Sequence, residues 1–481
     1  MIDTQAIRKK ILYLALQGKL TEQLPGDGTA DELYQQIQQE KHELGKIGKI
    51  KKGKAFPLIS KEEKPFDIPY SWKWVKLGDV IALVSGTDFK PEDYNDAGIG
   101  IPYMTGASNI ENDKLIINRW TPCPRNIAHK GELLLVCKGS GFGKLVICNV
   151  PQVHIARQFM SICPYDGVDV NYVKAVMTNS LQLIKEAGKG LIPGVDRDTV
   201  LNIPLPLPPL AEQKRIVDKI ESAFSILNTI DTLQSQYQIN LSTLKSKMID
   251  AAIQGKLTEQ LPEDGTGEEL FQQIQQEKAA MEKAGKIKKS NTLPPVTEEE
   301  KSFEVPRNWK WVRFDTIANI MGTGMIRAGN EQYNEAEYYY FKMNNIGNFD
   351  GKCHFENMVM VNATKEEVDK YKLEEGDFLF NTRNSKELVG KTAVVPYISQ
   401  PIIFNNNILK IHFLGGLDPK YINYYFLSTQ GREKLSGFVT STTNVAAIYQ
   451  RQLITISVPL PPIAEQKRIV TKLEEILPLC E

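Results

Sequence analysis

The sequence predicts an α+β fold in which two mixed, β-dominated domains are joined by two long antiparallel helices, arranged as a circular repeat with a pseudo-two-fold axis. Three observations predict it. "PLPPLAEQKRIV" at 206–217 returns as "PLPPIAEQKRIV" at 459–470. Apolar residues behind the first copy keep a four-three spacing for about five heptads, the seam of a long helix packed on another helix. Short β-rich runs broken by Gly, Asn and Pro fill the segments between the repeats.

The short duplication belongs to a larger one. Residues 17–52, "QGKLTEQLPGDGTADELYQQIQQEKHELGKIGKIKK", recur at 254–289 at a constant offset of 237, and "IPYSWKWVKL" (68–77) is answered by "VPRNWKWVRF" (305–314). Ala211 and Ala464 are offset by 253, so the intervening segment is 16 residues longer in the second half. A period this long means two copies of a domain rather than a solenoid. The chain divides into 1–55, the start of a helical frame with a basic arm; 56–205, a first insert domain; 206–292, the central frame with the long helix and a second basic arm; 293–458, a second insert domain; and 459–481, a terminal helix.

The prolines of "IPLPLPPL" argue against a continuing strand ladder and pre-set a helix start. The seam that follows runs through Ile216, Ile220, Ala223, Leu227, Ile230, Tyr237, Leu241, Leu244, Met248 and Ala251, broken only at Gln234. From Ala211 to Ala251 the helix spans roughly 60 Å. The C-terminal copy repeats only its first part. The N-terminus supplies the last part, because Ile7, Ile11 and Leu14 match Leu244, Met248 and Ala251. The two chain ends together therefore rebuild a second, antiparallel helix, which Pro478 kinks short. Each frame also carries an arm helix, "TADELYQQIQQEK" or "TGEELFQQIQQEK", with Thr29 or Thr266 as N-cap. The lysine-rich ends that follow suit either phosphate contact or a solvated linker.

At 481 residues, three or four structural units are expected. No apolar run approaches the roughly 20 residues that span a bilayer, and no signal-peptide pattern opens the chain, so a cytoplasmic protein is expected. The six cysteines lack metal or disulfide spacing. Lys plus Arg equals Asp plus Glu at 58 each, and each insert is near neutral, which argues against tight DNA binding by an insert alone.

Strand patterns in the inserts include "DVIALVSG", "ELLLVCKGSG", "KLVICNV", "FMSICPY", "DFLFNTRN", "KTAVVPYI" and "NNNILKIHFL". Late in each, "NYVKAVMTNSLQLIKEAG" and "KYINYYFLSTQGREKLSG" read as a helix closed by Gly188 or Gly437. Chemistry gives near misses. "KGSGFGKL" (138–145) lacks the first glycine and the hydroxyl of a phosphate loop, and "SKELVGKT" (385–392) has Ser385 in place of that glycine. The five histidines are scattered, and no catalytic constellation or metal site emerges.

Base-reading side chains do gather on loops. "FNTRNSKE" holds Arg383, Asn384, Ser385 and Lys386; "MTGASNIEN" holds Thr105, Ser108 and Asn109; "FKMNNIGN" holds Asn344 and Asn345. Lys138, Ser140, Arg157 and Gln158 in the first insert, and Thr443 and Asn444 in the second, complete the candidate DNA contacts. Any one such loop is an ordinary turn, but matched placement in both halves favours recognition.

The motifs "PLPPLAEQKRIV", "AIQGKLTEQLP", "IPYSWKWVKLGDV", "RNSKELVGKTAVV" and "TTNVAAIYQRQLITISVPLPP" resemble the specificity subunit of type I restriction-modification enzymes over essentially the whole chain. The resemblance implies two target-recognition domains on two long antiparallel conserved helices, each domain reading one half of a bipartite, asymmetric DNA target. It implies assembly with two DNA methyltransferase subunits and with restriction subunits, while the chain itself is non-catalytic. S-adenosylmethionine and ATP with magnesium are then expected on the partner subunits only. The absence of an Asn-Pro-Pro-Tyr motif fits this. The competing expectation is a scaffold whose paired domains bind protein or small ligands.

Overall fold

The computed structural model describes residues 1–48, 56–57, 59–139, 141–187, 194–287, 293–333, 335–441 and 445–480, the side chains of 182–187, 320 and 321 excepted. It forms two compact units, Met1–Ser235 and Gln236–Glu481. One continuous helix, Leu210–Ile253, contributes its first part to one unit and its last part to the other. Its 44 residues amount to about 66 Å of helix.

In the first unit the N-terminal helix Thr4–Leu16 lies antiparallel on the long helix. Ile2 N donates to Gln234 Oε1, Thr4 Oγ1 to Asp231, and Arg8 reaches Asn228 and Asp231 at 2.9 and 2.8 Å. In the second unit the terminal helix Ile463–Ile476 takes the place that the start of the long helix has in the first, Glu465 accepting from Thr258 and Gln260 as Glu212 does from Thr21 and Gln23. The arm helices Ala30–Lys46 and Gly267–Lys283 begin at Thr29 and Thr266, each closing a capping box with Glu32 or Glu269.

The duplicated "AEQKR" is where each frame is knotted. Glu212 is fully buried and accepts from Trp72 Nε1 at 2.7 Å, Gln23 Nε2 at 2.8 Å and Thr21 Oγ1 at 3.0 Å. Glu465 accepts from Trp309, Gln260 and Thr258 at 2.8, 2.8 and 3.2 Å. The neighbouring glutamines, Gln213 and Gln466, are buried and satisfy backbone groups, and Arg215 and Arg468 form forked pairs with Asp27 and Asp264. The repeat is thus written twice because each unit needs a buried carboxylate with three donors, and a buried charge is tolerated only when so partnered.

The proline-rich lead is a strand after all. Pro204–Leu207 pairs antiparallel with Lys73–Lys76, and Ser457–Leu460 with Lys310–Arg313. Pro204 and Pro206 sit at alternate positions, so both ring nitrogens face the same side of a two-stranded ladder and no bond to the partner strand is lost.

Each insert is built on a four-stranded antiparallel sheet. The first has the order Ile81–Ser85, Phe159–Pro164, Leu133–Val136, Leu145–Ile147, and the second Ala318–Thr323, Ile408–Phe413, Phe378–Asn381, Thr392–Val394. These contain all seven strand patterns read from sequence. A smaller mixed sheet packs beside each, with parallel pairs between Ile101–Met104 and Gln152–Ile155 and between Tyr338–Phe341 and Ile402–Phe404. The late helix of the first insert is Val170–Ala187, and Gly188 lies outside the described residues. That of the second is two helices, Pro419–Leu427 and Thr429–Ser436. Ser428 breaks it, its hydroxyl capping Gly431 N, and Gly437 ends it in a right-handed rather than left-handed conformation.

Candidate nucleic-acid interface

In both units a glycine fixes the base of a candidate loop. Strand Ile81–Ser85 exits at Gly86, where a Cβ would lie 2.0 Å from Ala156 O. Strand Ala318–Thr323 exits at Gly324, where it would lie 2.1 Å from Phe404 O. Only hydrogen fits, so the exiting backbone lies flat against the neighbouring chain. In the second unit this opens a cleft of about 560 Å³ whose lining includes Ile326, Arg383, Asn406, Tyr449 and Gln450. Arg383 is exposed and makes no ion pair or side-chain hydrogen bond among the described residues. Ile326 is 72% exposed. An arginine, two amides and an isolated aliphatic tip are the groups that meet guanine, adenine and the thymine methyl in a major groove.

The other candidate contacts divide by what their side chains already do. Ser108, Gln158, Lys138, Asn344 and Lys386 are exposed. Arg157 is exposed and held by Asp88 at 2.6 Å. Asn109 and Asn345 are buried and do not present their amides. Asn109 Oδ1 accepts from the backbone of Thr105 and Gly106 and its amide donates to Ile116 O, while Asn345 Oδ1 accepts from Lys342 N and its amide donates to His354 O. They pin the same 3-10 turn in each insert, Ala107–Asn109 and Met343–Asn345. Thr105 Oγ1 donates to Asn109. Asn384 is half-buried, donating to Asn381 Oδ1 and accepting from Ser385 N, so it shapes the loop that carries Arg383. Ser385 is half-buried in that turn, and its carbonyl accepts from Leu388 and Val389. Ser140, Thr443 and Asn444, with most of the first lysine run and the end of the second, lie outside the described residues. Ile326 and Asn406 carry no sequence signal for the cleft, whereas Tyr449 and Gln450 lie in the same stretch as the candidates Thr443 and Asn444, "STTNVAAIYQRQL" (441–453), without being singled out by it.

The helix seam is buried at its start, through Ile216, Ile220 and Leu227, and half-buried at Ile230, Leu241 and Met248; Leu244 is 45% exposed. At the helix end the buried side chains are Ile249, Ala252 and Ile253, one position on from Met248 and Ala251. The N-terminal helix repeats the shift, burying Leu12, Ala15 and Leu16. Both ends join the core of their own unit, which selects a face rotated from the helix-pairing seam.

The phosphate-loop resemblance dissolves in the structure. Lys391 is 2% exposed, its ammonium donating to Ile346 O and Asn348 Oδ1, and Thr392 is spent on Asn423. Burial pushes the Lys391 pKa down.

Behind the corresponding loop of the first unit, His154 is fully buried with the Phe89 ring stacked 4.2 Å away. Its Nε2–H donates to Thr87 O at 2.8 Å, and Nδ1 accepts from the backbone N–H of Arg125 and Asn126 at 3.2 and 3.3 Å. These bonds require the neutral ring, and burial, with Arg125 nearby, pushes its pKa below the ordinary 6.5. The unfolded chain therefore binds the proton that the folded ring refuses. The first unit's stability is expected to be level above about pH 6.5 and to fall as pH drops below it. Thermal melts from pH 7.5 to about pH 5.5 check this, with His154→Gln flattening the dependence.

Duplicated frames, each holding an insert domain with its own candidate loops, define the class as a paired-domain subunit. The family comparison agrees. The model for the type I restriction modification DNA specificity domain matches residues 69–241 and again 306–478, and the chain belongs to that family. It is 27% identical to the EcoAI type I restriction enzyme specificity subunit of Escherichia coli, over 98% of this chain and 89% of that protein. It is 23% identical to the MjaVIII specificity subunit of Methanocaldococcus jannaschii, over 88% and 89%. A solved structure from work on assembly and conformational transition of the type I R-M system shares the fold, with a TM-score of 0.60 at 19% identity over 86% of this chain and 92% of that one. As a specificity subunit the chain is not itself an enzyme. Among the described residues no helix is long and apolar enough to cross a membrane.

Proposed function

We propose that this chain reads a bipartite, asymmetric DNA target for a type I restriction-modification complex, one half-site per insert domain. The observation that carries the reading is one frame repeated around two insert domains whose matching loops carry different side chains, which suits two unlike half-sites. Two methyltransferase subunits dock on the helices, and restriction subunits join them in the cytoplasm. Exposed apolar side chains on the second unit's part of the long helix, Tyr237 and Ile239 at 59% each, support a partner there. S-adenosylmethionine and ATP with magnesium belong to those partners. The near-zero charge of the inserts supports DNA binding by the complex rather than by this chain alone.

Methylome sequencing of a host carrying the chain with its methyltransferase partner, against the partner alone, tests the reading. A new bipartite motif is expected. No motif from an assembled complex would favour a ligand- or protein-binding scaffold. One heptad inserted between Gln234 and Asn240 adds about 10 Å of helix, and so lengthens the unread spacer by about three base pairs at 3.4 Å each. Both half-sites are expected to stay unchanged in the same measurement.

A further inference from the structure

The two reading loops are held by matching backbone bonds. Gly86 N donates to Phe159 O as Gly324 N does to Ile408 O, and Thr87 N to Ile155 O as Met325 N to Phe404 O. Cys137 N donates to Gln158 O as Thr382 N does to Asn407 O, and Val195 N to Cys137 O as Ile448 N to Thr382 O. This register matches Asp88 with Ile326, Lys138 with Arg383, Arg157 with Asn406, and Arg197 with Gln450. No pair keeps its residue, although the backbone beneath is the same. Seven of the eight side chains are exposed and Asn406 is half-buried. The frame behaves oppositely, keeping its residues at both copies of the Glu–Trp–Arg knot.

We infer that three of these matched positions, 88/326, 157/406 and 197/450, are the base-reading set of each domain, while 138/383 suits a phosphate contact, a reading that rests on the function proposed above. Phosphate contacts carry no sequence information and would keep a cation at both members of each pair, whereas base contacts must change donor and acceptor pattern from one half-site to the other. Only 138 and 383 keep a positive charge.

The two sets differ in chemistry. In the first unit Asp88 accepts from Arg157 N at 3.0 Å and pairs with its Nε at 2.6 Å, while Arg197 is steadied by Leu83 O at 2.7 Å. An arginine held from behind offers a fixed fork, the geometry that meets guanine O6 and N7. In the second unit Ile326 stands exposed, and the Asn406 side chain has no hydrogen-bond partner among the described residues. An aliphatic tip with an amide fits the thymine methyl and the adenine N6 and N7 edge. The 88/157 pair therefore reads a G·C pair and the 326/406 pair an A·T pair.

The experiment transplants one set into the other. In the complex with its methyltransferase partner, the double variant Ile326→Asp, Asn406→Arg is expected to change one A·T pair of the second unit's half-site to G·C, leaving the first half-site and the spacer as they were. Methylation of the unchanged motif by the variant would overturn the assignment. A wild-type complex that produces no bipartite motif would instead refute the DNA-reading function. If the double variant methylates nothing, Asn406→Ala decides. Binding of the purified complex is expected to weaken roughly five- to 150-fold on its own target and little on scrambled duplex. Equal weakening on both duplexes would sink the proposal.

Discussion

Glu212→Ala is expected to lower the stability of the first unit by about 3–5 kcal/mol. The carboxylate is the shared acceptor of Trp72, Gln23 and Thr21; its removal strands the buried Trp72 indole N–H, while Thr21 is half-buried and the exposed Gln23 keeps its bonds to Gly18 O and Thr21 O. A stranded buried donor costs about 1–3 kcal/mol, and the cavity left by the carboxylate adds to it. Glu465→Ala should do the same to the second unit, because Trp309, Gln260 and Thr258 reproduce the arrangement. Calorimetry of the full chain checks both, with one transition shifted per variant. A loss below about 1 kcal/mol would mean the carboxylate is replaceable by water.

Gly324→Ala should remove recognition by the second domain while the first still binds. The added methyl would lie 2.1 Å from Phe404 O and 2.6 Å from Asn405 O, and both neighbours are backbone, so nothing flexible can yield. The strand exit must lift, carrying Ile326 out of the cleft and separating it from Asn406. A local cost of about 1–3 kcal/mol is expected from overpacking against main chain. Duplexes with either half-site scrambled would report it: the variant complex should no longer distinguish a correct second half-site from a scrambled one. Retained discrimination would show that the loop tolerates displacement.

Much of the architecture is legible because it is periodic or repeated. The heptad spacing gave a continuous helix, the duplicated "TADELYQQIQQEK" gave two capped arm helices, and the strand-and-turn runs gave the central sheets. Misreadings arose where tertiary context decides. Prolines at alternate positions look like strand breakers until the ladder has only one partner, and the helix ends rotate their buried face toward a core that periodicity does not reveal. The site was harder still. Asn109 and Arg383 are equally good base readers on paper, yet one is consumed by its own turn and the other stands free. Ile326 and Asn406 lie about 80 residues apart and meet only through the register of two strands, which no local motif encodes.

The Glu–Trp knot also bears on how such a chain can change over generations. In each unit the insert lies between the tryptophan and the glutamate, so the frame closes it as a clasp closes a loop. Loop-closure entropy grows only with the logarithm of length, about 0.6 kcal/mol per doubling. The 16 residues by which the second insert exceeds the first therefore cost a small fraction of that. Any sequence that folds on its own and returns its ends to the clasp is nearly equivalent for the frame. Whole inserts can then be exchanged by recombination within the matching flanks, altering what is recognised while leaving assembly intact.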